Sequence, residues 1–182
     1  MAISRKTKII SLILIPIVLI GTIAVIGQLV GGGNLPFFGE TTQEPDSFRT
    51  IRGQIIKLSD HEGEVVILFF FDLKCTPCEA QADILADIYN DYKDEEVFII
   101  LITVLHEDSD QGLIEFAQEH DLDELIDRIV RDDPSNTIAS EYDISYTPTT
   151  IILDKNGKKA ERMVGADEGS YENMKDAIED LL

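Results

Sequence analysis

Apolar residues fall into three different patterns along the chain. From Ile9 to Val30 they run for 22 residues without a charge, enough at about 1.5 Å per residue to cross a hydrocarbon layer of about 30 Å. Val65–Phe71 and "VFIILITVL", Val97–Leu105, are shorter and almost wholly apolar, the pattern of strands buried on both faces of a sheet. Elsewhere the spacing is helical: Ala82, Leu85, Ala86 and Tyr89 follow Pro77, and Leu113, Phe116 and Ala117 lie in a segment from about Asp110 to His120 opened by "EDSDQG". Each set puts one apolar stripe on a helix.

A buried strand, a helix and a second buried strand in succession predict a right-handed crossover and a parallel pair. A short strand around Gln54 to Leu58 precedes them, and "DDPSNTIASEY" predicts a further helix with Asp133 as N-cap and Pro134 in the first turn. The pair Asn156-Gly157 in "TPTTIILDKNGKKAERMVG" sits between two strand-like segments and signals a hairpin. "DEGSYENMKDAIEDLL" closes the chain as an amphipathic helix with Tyr171, Met174, Ile178 and Leu181 on one face. The elements predict an α/β domain with a central mixed sheet flanked by helices.

The long apolar run reads as an anchor. Arg5, Lys6 and Lys8 precede it and no acidic residue does, which places residues 1–8 in the cytoplasm, a transmembrane helix at 9–30 and everything after it outside the cell membrane. Pro16 is tolerated in such a helix. A cleaved signal peptide is the competing reading, against which stand the length of the run and the lack of an A-x-A site. No cysteine follows the run to carry a lipid. "GGGNLPFFGETTQEPDS", residues 31–47, has no regular period and reads as a linker, leaving 48–182 as the globular domain.

Charge excludes one class of partner. The net charge is -20 and the pI about 4.3; after Gly31 the chain holds 12 of its 15 basic residues against all 35 acidic ones, a net -23. Nucleic acid, which needs a basic face, is excluded as a ligand. A strongly solvated surface accounts for the acidity without a function.

The chain's two cysteines, Cys75 and Cys78, stand in "FFFDLKCTPCEAQADIL", directly after the first buried strand and at the start of a helix. At that junction unpaired N–H groups and the helix dipole favour a thiolate, which makes Cys75 the attacking thiol, helped by Lys74. Cys78, one turn in, is placed to resolve a mixed disulfide. Thr76 and Pro77 fill the gap, and Pro77 restricts the loop where no N–H is needed. The pattern fits reversible dithiol exchange through a Cys75–Cys78 disulfide, with no cofactor and no metal. A structural zinc site lacks further cysteines, and His61, His106 and His120 are scattered. A purely structural disulfide would close a very small loop. Copper carriage by both thiolates with His106 or His120 is the alternative function. A peroxidase of the peroxiredoxin kind would place a threonine three positions before the reactive cysteine, where this chain has Asp72.

The order of elements, with Cys75-Thr76-Pro77-Cys78, "YTPTTIILDKNG" and the glycine of "MVG", resembles the thioredoxin superfamily over residues 48 to 182. Within it "GQIIKLSDHEGEVVILFFFDLKCTPC" is similar to the membrane-anchored TlpA and ResA type. The resemblance implies a thioredoxin-like fold, a cis peptide at Pro148 facing the cysteines, a Thr147 backbone that pairs with an extended client as an added strand, and a bulge glycine at Gly165. It implies exchange with protein thiol or disulfide clients and a membrane electron donor or acceptor. The chain departs from the pattern in three places. Lys74 replaces the usual tryptophan, Phe69 the buried acid of thioredoxins proper, and Gln81 the glutamate common in TlpA-type proteins, which leaves water, Glu79 or another group to move the proton of Cys78.

Overall fold

The computed structural model describes residues 47–182; the expected N-terminus, anchor and, apart from Ser47, linker lie outside the described residues. A five-stranded sheet in the order β5-β4-β3-β6-β7 forms the centre, built from β3 (Val65–Phe71), β4 (Val97–Thr103), β5 (Ile129–Arg131), β6 (Thr149–Leu153) and β7 (Lys159–Val164). β3 pairs parallel to β4, and β4 to β5, whereas β6 runs antiparallel to both β3 and β7. Three helices lie between strands, α1 (Thr76–Tyr92), α2 (Asp110–Glu119) and α3 (Thr137–Glu141), and α4 (Ser170–Glu179) follows the last strand. The mixed sheet flanked by helices agrees with the expected thioredoxin-like architecture. Among the described residues no helix is long and apolar enough to cross a membrane.

Every residue of β3 is buried, and alternate side chains serve opposite cores because strand side chains have a period of two. Val65, Ile67, Phe69 and Phe71 face a core shared with Ala82 and Leu85 of α1, Leu113 and Phe116 of α2, and Met174 and Ile178 of α4. Val66, Leu68 and Phe70 face a second core with Phe48, Val130 and Tyr142. That side is closed by an antiparallel ribbon of β1 (Ser47–Arg49) and β2 (Ile55–Lys57) together with α3. Burying a large apolar side chain contributes about 1.5–3 kcal/mol, so β3 alone supplies a large share of the driving force. β7, at one edge of the sheet, is largely exposed and carries Lys159, Glu161 and Arg162, charges that discourage pairing with another chain.

The predicted stripes are observed with small shifts. Leu113, Phe116 and Ala117 are the buried residues of α2, which ends at Glu119, and Ser109 caps it by accepting the Gly112 N–H at 3.1 Å. Tyr89 is only part-buried, and Ile88 takes the inward place beside it. The hairpin turns at Asn156-Gly157 with Gly157 at φ 74°. There the Asp154 carboxylate accepts the Asn156 and Lys158 N–H groups, which hold its pKa below the usual value, the Lys158 bond most.

Three elements differ from expectation. β1 begins inside the expected linker, at Ser47. β5 and the 3-10 turn before it, Asp123–Arg128, follow no apolar period and were not foreseen. The third helix starts later than its aspartate predicts. Asn136, with φ 53°, occupies the N-cap without a side-chain cap bond, while Asp133 accepts the Ser135 and Thr137 N–H groups just ahead of it. The donors of the first turn go instead to buried Asp132, which accepts Ile138 N–H at 2.9 Å, Ala139 N–H at 2.8 Å and Asp133 N–H at 2.8 Å. Asp132→Ala leaves one buried and two part-buried donors unpaired and is expected to cost about 2–4 kcal/mol. Urea unfolding should show a lower midpoint at an unchanged slope.

Candidate active site

The site is built at the C-terminal end of β3, where Phe71 leaves the sheet stacked on Phe116 of α2 at 4.8 Å between ring centroids. Three residues, Asp72, Leu73 and Lys74, then lead to Cys75, the N-cap of α1, with Thr76 and Pro77 in the first turn. The loop is held from two sides. Buried Asp108 accepts the Leu73 N–H at 3.2 Å and the Thr103 hydroxyl at 2.5 Å. Gly112 lies so close that a Cβ there would come within 2.8 Å of Leu73 Cδ1.

Cys75 and Cys78 form a disulfide with Cα atoms 5.3 Å apart. Cys78 is fully buried in the α1 core, whereas Cys75 is part-exposed. The Cys78 N–H donates to the Cys75 carbonyl at 2.9 Å, and Pro77 brings no donor. Lys74, Thr76, Pro77 and Glu79 are exposed around the pair.

The second half of the site comes from 75 residues further along. β6 pairs with β3 in a register that sets Thr149 against Phe70, so the segment before β6 lies over the loop that follows β3. The Thr147-Pro148 peptide is cis, as the resemblance implied. Thr147 donates its hydroxyl to Asp72 Oδ2 at 2.8 Å, and the Pro148 carbonyl accepts the Gly165 N–H at 2.9 Å. Gly165, at φ 86°, lies one residue beyond β7 rather than within it; the sheet irregularity falls at Ile152/Leu153. Arg162 steadies this region by donating to the Tyr142 and Asp143 carbonyls at 2.9 and 2.7 Å. Tyr146 is 73% exposed and Val164 57%. A cleft of about 310 Å³ lined by Leu105, Ala139, Ile144, Tyr146 and Thr147 adjoins them.

All the expected site residues thus gather at this end of the sheet. The histidines do not join them in a metal-binding group. His120 pairs with Asp83 at 2.7 Å and packs on Phe116, and His61 stacks on Phe98. Among the described residues no group of three or more His, Cys, Asp or Glu is arranged to hold a metal. Two contributors escaped sequence reasoning, Asp72 and Asp108. The single signal available was a pair of aspartates beside apolar runs, which is also how solvated turns look.

Fold and site together define a thioredoxin-like thiol-disulfide oxidoreductase with a CxxC motif at Cys75 and Cys78. The chain belongs to the AhpC/TSA family, whose model matches residues 38–161. It is 28% identical over 132 residues to the thiol-disulfide oxidoreductase ResA of Bacillus cereus, covering 72% of this chain and 69% of that one. To the thioredoxin-like protein YneN of Bacillus subtilis it is 30% identical over 121 residues, covering 65% and 67%. Among solved structures it is similar to a thiol:disulfide interchange protein DsbE from Chlorobium tepidum, with a TM-score of 0.64 at 22% identity over 76% of this chain and 94% of that one. A thioredoxin-like protein from Aeropyrum pernix gives a TM-score of 0.63 at 21% identity over 74% and 88%.

Gln81 stands one turn beyond Cys78. It is 1% exposed, and neither its amide nitrogen nor its amide oxygen has a hydrogen-bond partner in the protein. Desolvating such a group without a partner costs about 1–3 kcal/mol. Gln81→Met, close in volume and free of the amide, is expected to stabilise the oxidised protein by about 1–2 kcal/mol, read as a higher urea midpoint.

Proposed function

We propose that the chain is a membrane-anchored, extracytoplasmic enzyme that exchanges dithiol and disulfide with protein clients. The observation that carries this is the asymmetry of the pair: Cys75 is part-exposed at a helix N-terminus and disulfide-bonded to a fully buried Cys78. An attacking thiol has to be reached by a client sulfur and favoured as a thiolate, whereas a resolving thiol has only to reach its neighbour. When the reduced pair acts, the Cys75 thiolate bonds to one sulfur of a client disulfide while the client S–S bond breaks. Cys78 then gives up its proton and attacks Cys75 Sγ, which frees the client and restores the Cys75–Cys78 bond. The reverse sequence oxidises a client dithiol. An extended client would lie along Thr147 as an added strand beside Pro148, and the cleft at Tyr146 offers room for a side chain next to the client cysteine. Lys74, Thr76 and Pro77 set the loop's charge and stiffness.

Asp72 argues against a peroxidase, since its carboxylate is committed to Thr147 and to the Lys74 N–H where the peroxiredoxin pattern needs a threonine hydroxyl. Support for the location is the 22-residue uncharged run behind three basic residues, and a membrane electron donor or acceptor would serve the pair there.

Two outcomes are expected. Cys78→Ser accumulates mixed disulfides with client proteins, and Cys75→Ser accumulates none; equal trapping by both would remove the assignment of roles. In membranes extracted with carbonate the full-length chain stays in the pellet and keeps its N-terminus, and in intact cells, once the Cys75–Cys78 disulfide is reduced, Cys75 is labelled by an impermeant thiol reagent added from outside. Recovery of a shortened chain in the supernatant would refute the anchor.

A further inference from the structure

The donors of the loop before Cys75 are all taken. Leu73 N–H goes to Asp108, Lys74 N–H to Asp72 Oδ1 at 2.9 Å, and Cys75 N–H to the Asp72 carbonyl at 3.3 Å. The other Asp72 oxygen receives the Thr147 hydroxyl at 2.8 Å. One half-buried carboxylate therefore ties together the loop that carries the attacking sulfur and the segment that leads into Pro148.

Its position has a geometric and an electrostatic consequence. Thr147 carries the backbone along which a client would pair, so its bond to Asp72 sets the distance between a bound client sulfur and Cys75. The carboxylate also places an anion in the loop where Cys75 must become an anion, and like charges at short range disfavour one another. The other charged groups around the loop are Lys74 on the loop itself, Glu79 on α1, and His106, Glu107 and Asp108 on the connection from β4 to α2. Of these Asp108 is buried and the rest are exposed. Residues 144–148 bring no charged side chain. Asp108 accepts two donors, as Asp72 does, and Lys74 is exposed; Asp72 is the carboxylate carried by the loop itself. A neighbour that destabilises the thiolate makes the reduced pair the less stable partner of the couple and so a better electron donor.

We propose that Asp72 is a positioning residue for the exchange reaction, which sets the client-pairing segment against Cys75 through Thr147 and whose charge poises the pair to reduce client disulfides rather than to form them. The proposal rests on the reading of the chain as an exchange enzyme. Atoms balance in that direction: the client disulfide takes up two electrons and two protons to become a dithiol, Cys75 and Cys78 lose the same and close their disulfide, and a dithiol reductant reopens it.

The test uses the full chain in detergent, with iodoacetamide for Cys75, a glutathione buffer for the redox equilibrium, and two substrates, a small disulfide and a disulfide-bridged peptide. Asp72→Asn keeps an acceptor for Lys74 and a hydrogen-bonding group for Thr147 but removes the charge. Its alkylation midpoint should move to lower pH, with a thiolate fraction about 3–10 times higher at neutral pH and a dithiol population in glutathione raised by the same factor. Thr147→Val keeps the charge and removes the bond. It should leave the alkylation midpoint in place, slow reduction of the bridged peptide by about tenfold and spare the small disulfide, and Thr147→Ser should restore the peptide rate. An unmoved midpoint in Asp72→Asn would overturn the electrostatic role. Equal loss on both substrates in Thr147→Val, or no rescue by Thr147→Ser, would overturn the positioning role. A parent chain inert toward both substrates would refute the exchange reading itself, while the alkylation profiles would still decide the effect of the charge.

Discussion

Seven consecutive apolar residues, Val65–Phe71, cannot be left against water on either face, and the rest of the domain is arranged to cover them. One face takes α1, α2 and α4; the other takes the β1–β2 ribbon, α3 and Tyr142. Parallel β4 on one side and antiparallel β6 on the other satisfy the backbone of β3, so the strand has neither an open edge nor an open face. A strand held on four sides ends at a well-defined point in space. The chemistry of the molecule is placed at that point.

The end of β3 is where the donors of a helix N-terminus, the sulfur of Cys75 and the segment before Pro148 converge. Secondary structure supplies the first two by connectivity alone, since a strand followed closely by a helix puts the helix N-terminus at the C-terminal end of the strand. The third requires β6 to return beside β3 in the register that pairs Thr149 with Phe70. The two halves are then joined by side chains, through Asp72 to Thr147 and through Asp108 to Leu73. Polar groups thus hold the far end of the dithiol loop, while stacked Phe71 and Phe116 hold its root. Gln81, buried without a partner beside the resolving cysteine, shows that this end of α1 was not arranged for stability alone. Natural domains depart from local optima at functional sites and compensate elsewhere.

The strongly acidic composition plays no part in this core. Apart from Asp108 and Asp132, which are consumed as acceptors for backbone and hydroxyl donors, the carboxylates are not among the buried residues described. Charge on β7 protects a sheet edge, and the remaining surface charge keeps the domain solvated.

Local sequence patterns by themselves determined the buried strands β3 and β4, the helices α1, α2 and α4, the hairpin of β6 and β7 at Gly157 and the placing of Cys75 at a helix start. Each of these rests on a period or a turn residue within a few positions of chain, and a long buried run has no other way to satisfy itself. Short elements were legible only in part. β5 has three residues, too few to display a period, and it exists because β4 offers a strand edge; α3, with five, was announced by its aspartate and proline, but its start was set by a cap that the fold supplies. Asp133 was the aspartate that local rules favoured as N-cap; Asp132 does the work because the approach of β5 to β4 buries it beneath α3. The cysteine pair and Pro148 were legible as motifs. The links between them were not, because Asp72 and Thr147 lie 75 residues apart, and a carboxylate reads in sequence as a solvated charge until the fold brings it a donor.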